Sequence, residues 1–188
     1  MPCGIIAIGG SWGGVRATGV LLRALPADLP VPIVIALHRG EEGSTALAAT
    51  LTTKSAIAVV EATDKDVPIP GRAYLAPPGY HLLVERGGLS LSTDEPERFS
   101  RPSIDVLFDS VAVSYGDEAV GVILTGASDD GAAGLARIRS RGGVTVVQEP
   151  ATAERRTMPD AALAASAAHR VVALEEIAPF LLKVCGGG

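Results

Sequence analysis

The 188-residue chain predicts a doubly wound α/β domain: a mostly parallel sheet with helices on both faces, plus one antiparallel β-hairpin. Three observations predict it. Short apolar runs rich in β-branched residues recur along the chain, and strands apolar on both faces belong to parallel sheets covered by helices. Helix-spaced segments of roughly ten residues separate them, the alternation of a βαβ fold. Only at 81–92, HLLVERGGLSLS, do two alternating runs meet across a glycine pair, which is a hairpin signal.

The elements follow in order. Residues 5–8 form the first apolar run, followed at once by glycines. Segment 15–25 has helical spacing, with Leu21, Leu22 and Leu25 on one side, and Pro26 and Pro30 stop it. PIVIAL from Pro32 is the second strand. A helix over 44–52 leads to strands at 56–61 and 72–76, then the hairpin. Segment 103–115 is a helix with Ile104, Leu107, Phe108 and Val111 along one face. A strand at 120–124, a helix at 131–141 ended by Gly142-Gly143, and a strand at 144–148 continue the pattern. A helix at 159–168 begins on a proline suited to a first turn. A strand at 171–174 and a helix at 175–184 finish the chain. No linker, repeat or low-complexity segment intervenes. Residues 1–185 therefore read as one domain, with 186–188 as a flexible glycine tail.

Composition narrows the function. Hydrophobic residues make up 47% and charged residues 20%, which fits a packed core rather than disorder. A net charge of −5 speaks against a nucleic-acid partner, which would select a basic surface. No apolar run approaches the roughly 18 residues of a membrane span, and no signal-peptide pattern opens the chain. The two cysteines, Cys3 and Cys185, stand near opposite ends. They read as isolated thiols, neither a disulfide framework nor a zinc site, and so as a sign of a reducing, cytoplasmic setting. The histidines show no metal-ligand spacing, and neither metal nor cofactor is expected.

In doubly wound sheets function gathers at the carboxyl ends of the strands. Three chemistry-bearing residue types fall there. Ser11 follows the first strand in GGSWGG, His38 follows the second in IVIALHRG, and Asp129 and Asp130 follow the strand at 120–124 in TGASDDGAAG. Serine, imidazole and carboxylate are the minimum for nucleophilic hydrolysis: the imidazole takes the serine proton and the carboxylate orients it. The glycines would let Ser11 stand exposed while backbone N–H groups face a developing oxyanion. A phosphate-binding turn is the rival reading of GGSWGG, but the segment matches neither GxGxxG nor the Walker pattern. The order Ser, His, Asp also departs from the Ser, acid, His order of ordinary α/β-hydrolases. One of the two aspartates could instead cap the helix at 131–141. His81 reads as structural, and His169 as a charge near a helix end. Trp12 reads equally as core anchor or as wall of the site.

The blocks IAIGGSWGG, IALHRG, AYLAPPGYHLL, SRPSIDVLF, GVILTGASDDGAAGL and VVQEPATAERRTMPDAAL occur in one order. Together they resemble the catalytic domain of CheB-type protein-glutamate methylesterases over nearly the whole chain. The resemblance implies a doubly wound α/β domain whose triad falls on Ser11, His38 and Asp130, the acid directly before glycine. It implies hydrolysis of glutamate γ-methyl esters on chemoreceptor-like proteins, with deamidation of glutamine as a second activity and no cofactor. Oxyanion donors are expected from Trp12 and from the turn Gly126–Ala127–Ser128.

Departures from the family pattern bear on the substrate. Trp12 stands where threonine is common, Ala127 where methionine is common, and Arg39 where methionine usually follows the histidine. The catalytic turn begins within about ten residues of Met1, so a stand-alone domain without a receiver is expected. The partner expected is a methylated protein, with no nucleic acid and no membrane insertion. The alternatives are an esterase or amidase acting on another substrate, and a non-catalytic binding module of the same fold.

Overall fold

The structure, a computed structural model, describes residues 3–38, 46–165 and 168–186. In chain order the strands are β1 (Ile5–Gly10), β2 (Ile33–Leu37), β3 (Ala58–Glu61), β4 (Arg72–Leu75), β5 (His81–Glu85), β6 (Gly88–Ser92), β7 (Ala119–Ile123), β8 (Val144–Gln148) and β9 (Arg170–Val172). The helices are α1 (Gly14–Arg23), α2 (Ala46–Thr53), α3 (Ile104–Tyr115), α4 (Ala132–Ser140), α5 (Thr157–Ala165) and α6 (Leu174–Cys185). Seven strands form one sheet in the order β3-β4-β2-β1-β7-β8-β9, and every pairing in it is parallel. β5 and β6 pair antiparallel, apart from that sheet.

The central strands β1, β2, β7 and β8 are buried along their whole length, because helices cover both faces. One core packs Ile6, Ile8, Ile33 and Ile35 against α1, α2 and α6. The other packs Ile5, Ala7, Val34 and Ile123 against α3, α4, α5 and the hairpin. The chain winds outward from β1 through β2, then returns to lay β7 on the other side of β1. That reversal is the switch point at which open α/β sheets form their crevice.

Differences from the sequence expectation are local. β1 runs on through Gly9 and Gly10, whose backbones pair with Ala36 and Leu37 of β2. Sheet pairing outweighs the punctuation these glycines suggest. α5 begins at Thr157, earlier than expected, with Pro159 inside its first turn, and Ala168 lies beyond its end. Residues 44–45 of the expected second helix, 166–167 of the fifth and 187–188 of the tail lie outside the described residues.

The reading of Cys3 and Cys185 as isolated thiols is corrected. The two form a disulfide with a Cα–Cα distance of 5.0 Å across a sequence separation of 182. α6 packs against α1 and lies beside the start of the central strand, so the fold brings together the two ends that sequence distance separates.

Candidate active site

Ser11 leaves the end of β1 at the switch point. Its N–H donates to Thr125 O at 3.0 Å and its carbonyl accepts Gly14 N–H at 2.7 Å, closing a tight turn into α1. Thr125, just past β7, braces this turn. Its hydroxyl donates toward Trp12 O (3.0 Å) and Arg155 O (3.2 Å) and accepts Arg155 N–H (2.9 Å). Its own N–H goes to Gln148 Oε1 at 2.9 Å. A Cβ on Gly126 would stand 2.9 Å from Ser11 Cβ and 2.7 Å from the sulfur of Met158. Only glycine lets the loop after β7 approach the serine this closely.

His38 follows β2, and its N–H donates to Gly10 O at 3.1 Å, which sets it beside the serine turn. Its Nε2 donates to Asp130 Oδ2 at 2.6 Å, with the histidine side chain 13% exposed and the aspartate fully buried. Asp130 is held by the start of α3. It accepts the hydroxyl of Ser103 (2.9 Å) and the N–H groups of Ile104 (2.7 Å) and Asp105 (3.0 Å). Burial alone would raise its pKa. The hydrogen bonds from His38, Ile104 and Asp105 outweigh burial and hold the carboxyl below its ordinary value. Asp130 is thus an anchored anion at a helix N-terminus, aimed at the imidazole. With Nε2 committed to Asp130, Nδ1 is the lone-pair nitrogen, and Ser100 Oγ lies 3.5 Å from it.

The two aspartates of TGASDDGAAG separate cleanly. Asp129 is exposed and pairs with Arg98. Neither caps α4, whose N-cap is Gly131 with no side-chain bond. Of the expected oxyanion donors, Gly126 is withdrawn, because its N–H donates to Arg155 O at 3.1 Å. Ser128 Oγ accepts Asp130 N–H at 3.4 Å. The N–H groups of Trp12 and Ala127 carry no hydrogen bond among the described residues. Trp12 is 61% exposed, which ends the core-anchor reading, and Arg155 stacks on its ring 5.3 Å from the centroid. Arg39 lies outside the described residues.

The other histidines are structural. His81 is buried, with Nδ1 accepting Ser103 N–H at 3.2 Å and Nε2 reaching Glu95 O at 3.1 Å. It fixes the residue that caps α3 and so supports Asp130 indirectly. His169 is not the helix-end charge expected from sequence. Nδ1 accepts Thr145 N–H at 3.2 Å, and burial, with Arg139 nearby, pushes its pKa down. Sequence reasoning missed the braces Ser100, Ser103, Thr125 and Gln148. Ser103 alone had a legible signal, as a serine directly before a helix. Among the described residues no group of three His, Cys, Asp or Glu side chains is placed to hold a metal ion, and no helix is long and apolar enough to cross a membrane.

Fold and site together define the class: a doubly wound α/β domain presenting a serine, a histidine and a buried aspartate at its switch point. Comparison with known proteins then fixes the group within it. The chain belongs to the CheB methylesterase family, whose model matches residues 6–181. A Leptospira interrogans relative, provisionally named protein-glutamate methylesterase/protein-glutamine glutaminase, is 43% identical over 95% of this chain and 93% of its own length. The Geobacter metallireducens protein-glutamate methylesterase/protein-glutamine glutaminase 3 is 42% identical over 97% of this chain. The match covers only 52% of that relative, so the chain spans about half its length. The crystal structure of the Thermotoga maritima CheB methylesterase catalytic domain superposes with a TM-score of 0.92 at 29% identity, covering 98% of this chain and all of that one.

Proposed function

We propose that residues 1–185 act as one domain that hydrolyses glutamate γ-methyl esters, and deamidates glutamine side chains, on a methylated chemoreceptor-like protein in the cytoplasm. The observation that carries the reading is the 2.6 Å bond from His38 Nε2 to the buried Asp130, beside a serine in a glycine-cleared turn. Ser11 Oγ attacks the ester carbonyl carbon and its proton passes to His38 Nδ1, the nitrogen Asp130 leaves free. Ser11 makes no hydrogen bond to His38 among the described residues. Catalytic hydrogen bonds that are long or absent in the free enzyme tighten in the substrate complex. The N–H groups of Trp12 and Ala127 receive the oxyanion. His38 then gives its proton to the departing methoxide, releasing methanol, or to the departing amine, releasing ammonia. Water, activated by the same imidazole, hydrolyses the acyl-enzyme and leaves a glutamate carboxylate.

A fluorophosphonate probe followed by mass mapping tests the nucleophile. Labelling is expected at Ser11 and is lost in His38→Ala; labelling elsewhere, or its persistence without His38, overturns the assignment. Methanol release from a peptide carrying a glutamate γ-methyl ester tests the substrate. Probe labelling without any methanol release would point to an esterase or amidase of other specificity, and neither signal to a binding module.

A further inference from the structure

Ser11 does not face open solvent alone. It stands at one end of a cleft of about 630 Å³ between α1 and α2. The wall is cationic: Arg16 and Arg23 from α1 and Lys54 at the end of α2 line it, and among the described residues Glu154 is the single acid against them. Arg16 and Arg23 are seven residues apart in sequence, two helical turns, and so lie on one face of α1. Glu154 is already paired, with Arg16 at 3.3 Å. Arg23 and Lys54 have no ion pair among the described residues. A further cation, Arg155, is exposed over Trp12 at the same end as the nucleophile. This concentration of positive charge stands out on a chain whose net charge is −5.

We infer that the cleft is a docking surface for the acidic stretch of the protein substrate, and that it makes the enzyme select ester sites flanked by free glutamates. The inference rests on Ser11 being the nucleophile of a protein glutamate esterase, and it specifies which part of that protein is held. The chemistry supplies the partner. A protein bearing glutamate methyl esters also bears the unesterified glutamates from which they are made, and each turnover adds one more carboxylate. The cleft leads from the nucleophile to the unpaired cations Arg23 and Lys54 at the far ends of α1 and α2, and these complement such a segment. Their attraction would fall as salt screens it. Each hydrolysed ester would then strengthen the grip on its neighbourhood.

The test uses two peptides identical except that one glutamate γ-methyl ester is flanked by glutamates in the first and by glutamines in the second. Binding is measured on Ser11→Ala by fluorescence anisotropy, so that it does not depend on turnover. At low salt the glutamate-flanked peptide is expected to bind about five- to tenfold more tightly, the scale of two exposed ion pairs, and the difference should shrink as NaCl is added. Adding Arg23→Ala and Lys54→Ala should erase the difference, while the charge-preserving Arg23→Lys with Lys54→Arg should restore it. Equal binding of the two peptides, or a preference that survives in the alanine pair, overturns the inference. Methanol release by the wild-type chain is read in parallel. A charge-dependent preference in binding with no methanol from either peptide would leave the docking surface standing and remove the esterase reading. Methanol from both peptides at equal kcat/KM, with equal binding, would do the reverse.

Discussion

Asp130 shows how much of this site is set one residue at a time. Its carboxylate accepts four hydrogen bonds, three from the start of α3 and one from His38, so neither its position nor its charge is free to vary. Asp130→Asn keeps the shape but offers His38 an amide in place of an anion, which disturbs the tautomer as well as the imidazolium. By analogy with other triads, kcat is expected to fall on the order of 10⁴-fold, measured by methanol release at neutral pH. Ala127 contributes through its backbone alone. Ala127→Pro removes the N–H, and kcat is expected to drop roughly 10²–10³-fold, with Ala127→Gly close to wild type. A drop shared equally by both variants would show that the side chain, not the N–H, matters. Ser100, at 3.5 Å from Nδ1, is at the outer limit of a hydrogen bond, and Ser100→Ala should change kcat by less than about tenfold.

At the scale of elements, the site depends on how closely α3 approaches β1. A Cβ on Gly9 would lie 2.3 Å from Ile104 Cγ2, and Ile104 is the first residue of α3. Gly9→Ala should therefore push the helix N-terminus away from Asp130, lowering both the urea midpoint and kcat. A stable variant with full activity would refute this coupling. The same helix end gives a pH signature. Because the folded-state pKa of Asp130 is depressed below 3.8, the stability it contributes is fully present above the ordinary carboxylate range. That stability is lost as pH falls through the lowered folded value. Asp105, raised chiefly by burial and less by the neighbouring Asp130 charge, works in the opposite sense; burial acts in wild type and variant alike, and only the smaller contribution of the Asp130 charge is lost in Asp130→Asn. The stability gap between wild type and Asp130→Asn, followed by urea denaturation, should be largest near neutrality and narrow in acid. A gap independent of pH would mean that Asp130 is not held as an anion.

For the whole molecule, the disulfide is the one covalent tie between distant segments. Cys3 precedes β1 and Cys185 ends α6, enclosing almost the entire chain. A loop of this size removes about 5 kcal/mol of denatured-state freedom in the chain-entropy account, and measured values for disulfides run about 2–4 kcal/mol. Reductant should lower the urea midpoint of the wild-type chain by a corresponding amount, while Cys3→Ser should sit at the lower midpoint and ignore reductant. An unchanged wild-type midpoint would show that the tie adds no stability. In a cytoplasm that keeps thiols reduced, the bond would form only under oxidation.

The sequence by itself determined the fold class, the order of the elements and the three residues at the strand ends. Those rest on local signals: apolar runs that need burial on two faces, helix spacing, and a nucleophile-like serine among glycines. It also separated Asp130 from Asp129, but only through resemblance, since both are equally acidic and equally near the helix that follows. Tertiary structure decided what depends on neighbours far apart in the chain. It placed Asp130 under α3 rather than on α4, spent the Gly126 N–H on Arg155, exposed Trp12 and joined Cys3 to Cys185. A hydrogen bond or a disulfide is set by angstrom-scale distances between segments, and residue types along the chain do not carry those distances until helices and sheet have packed.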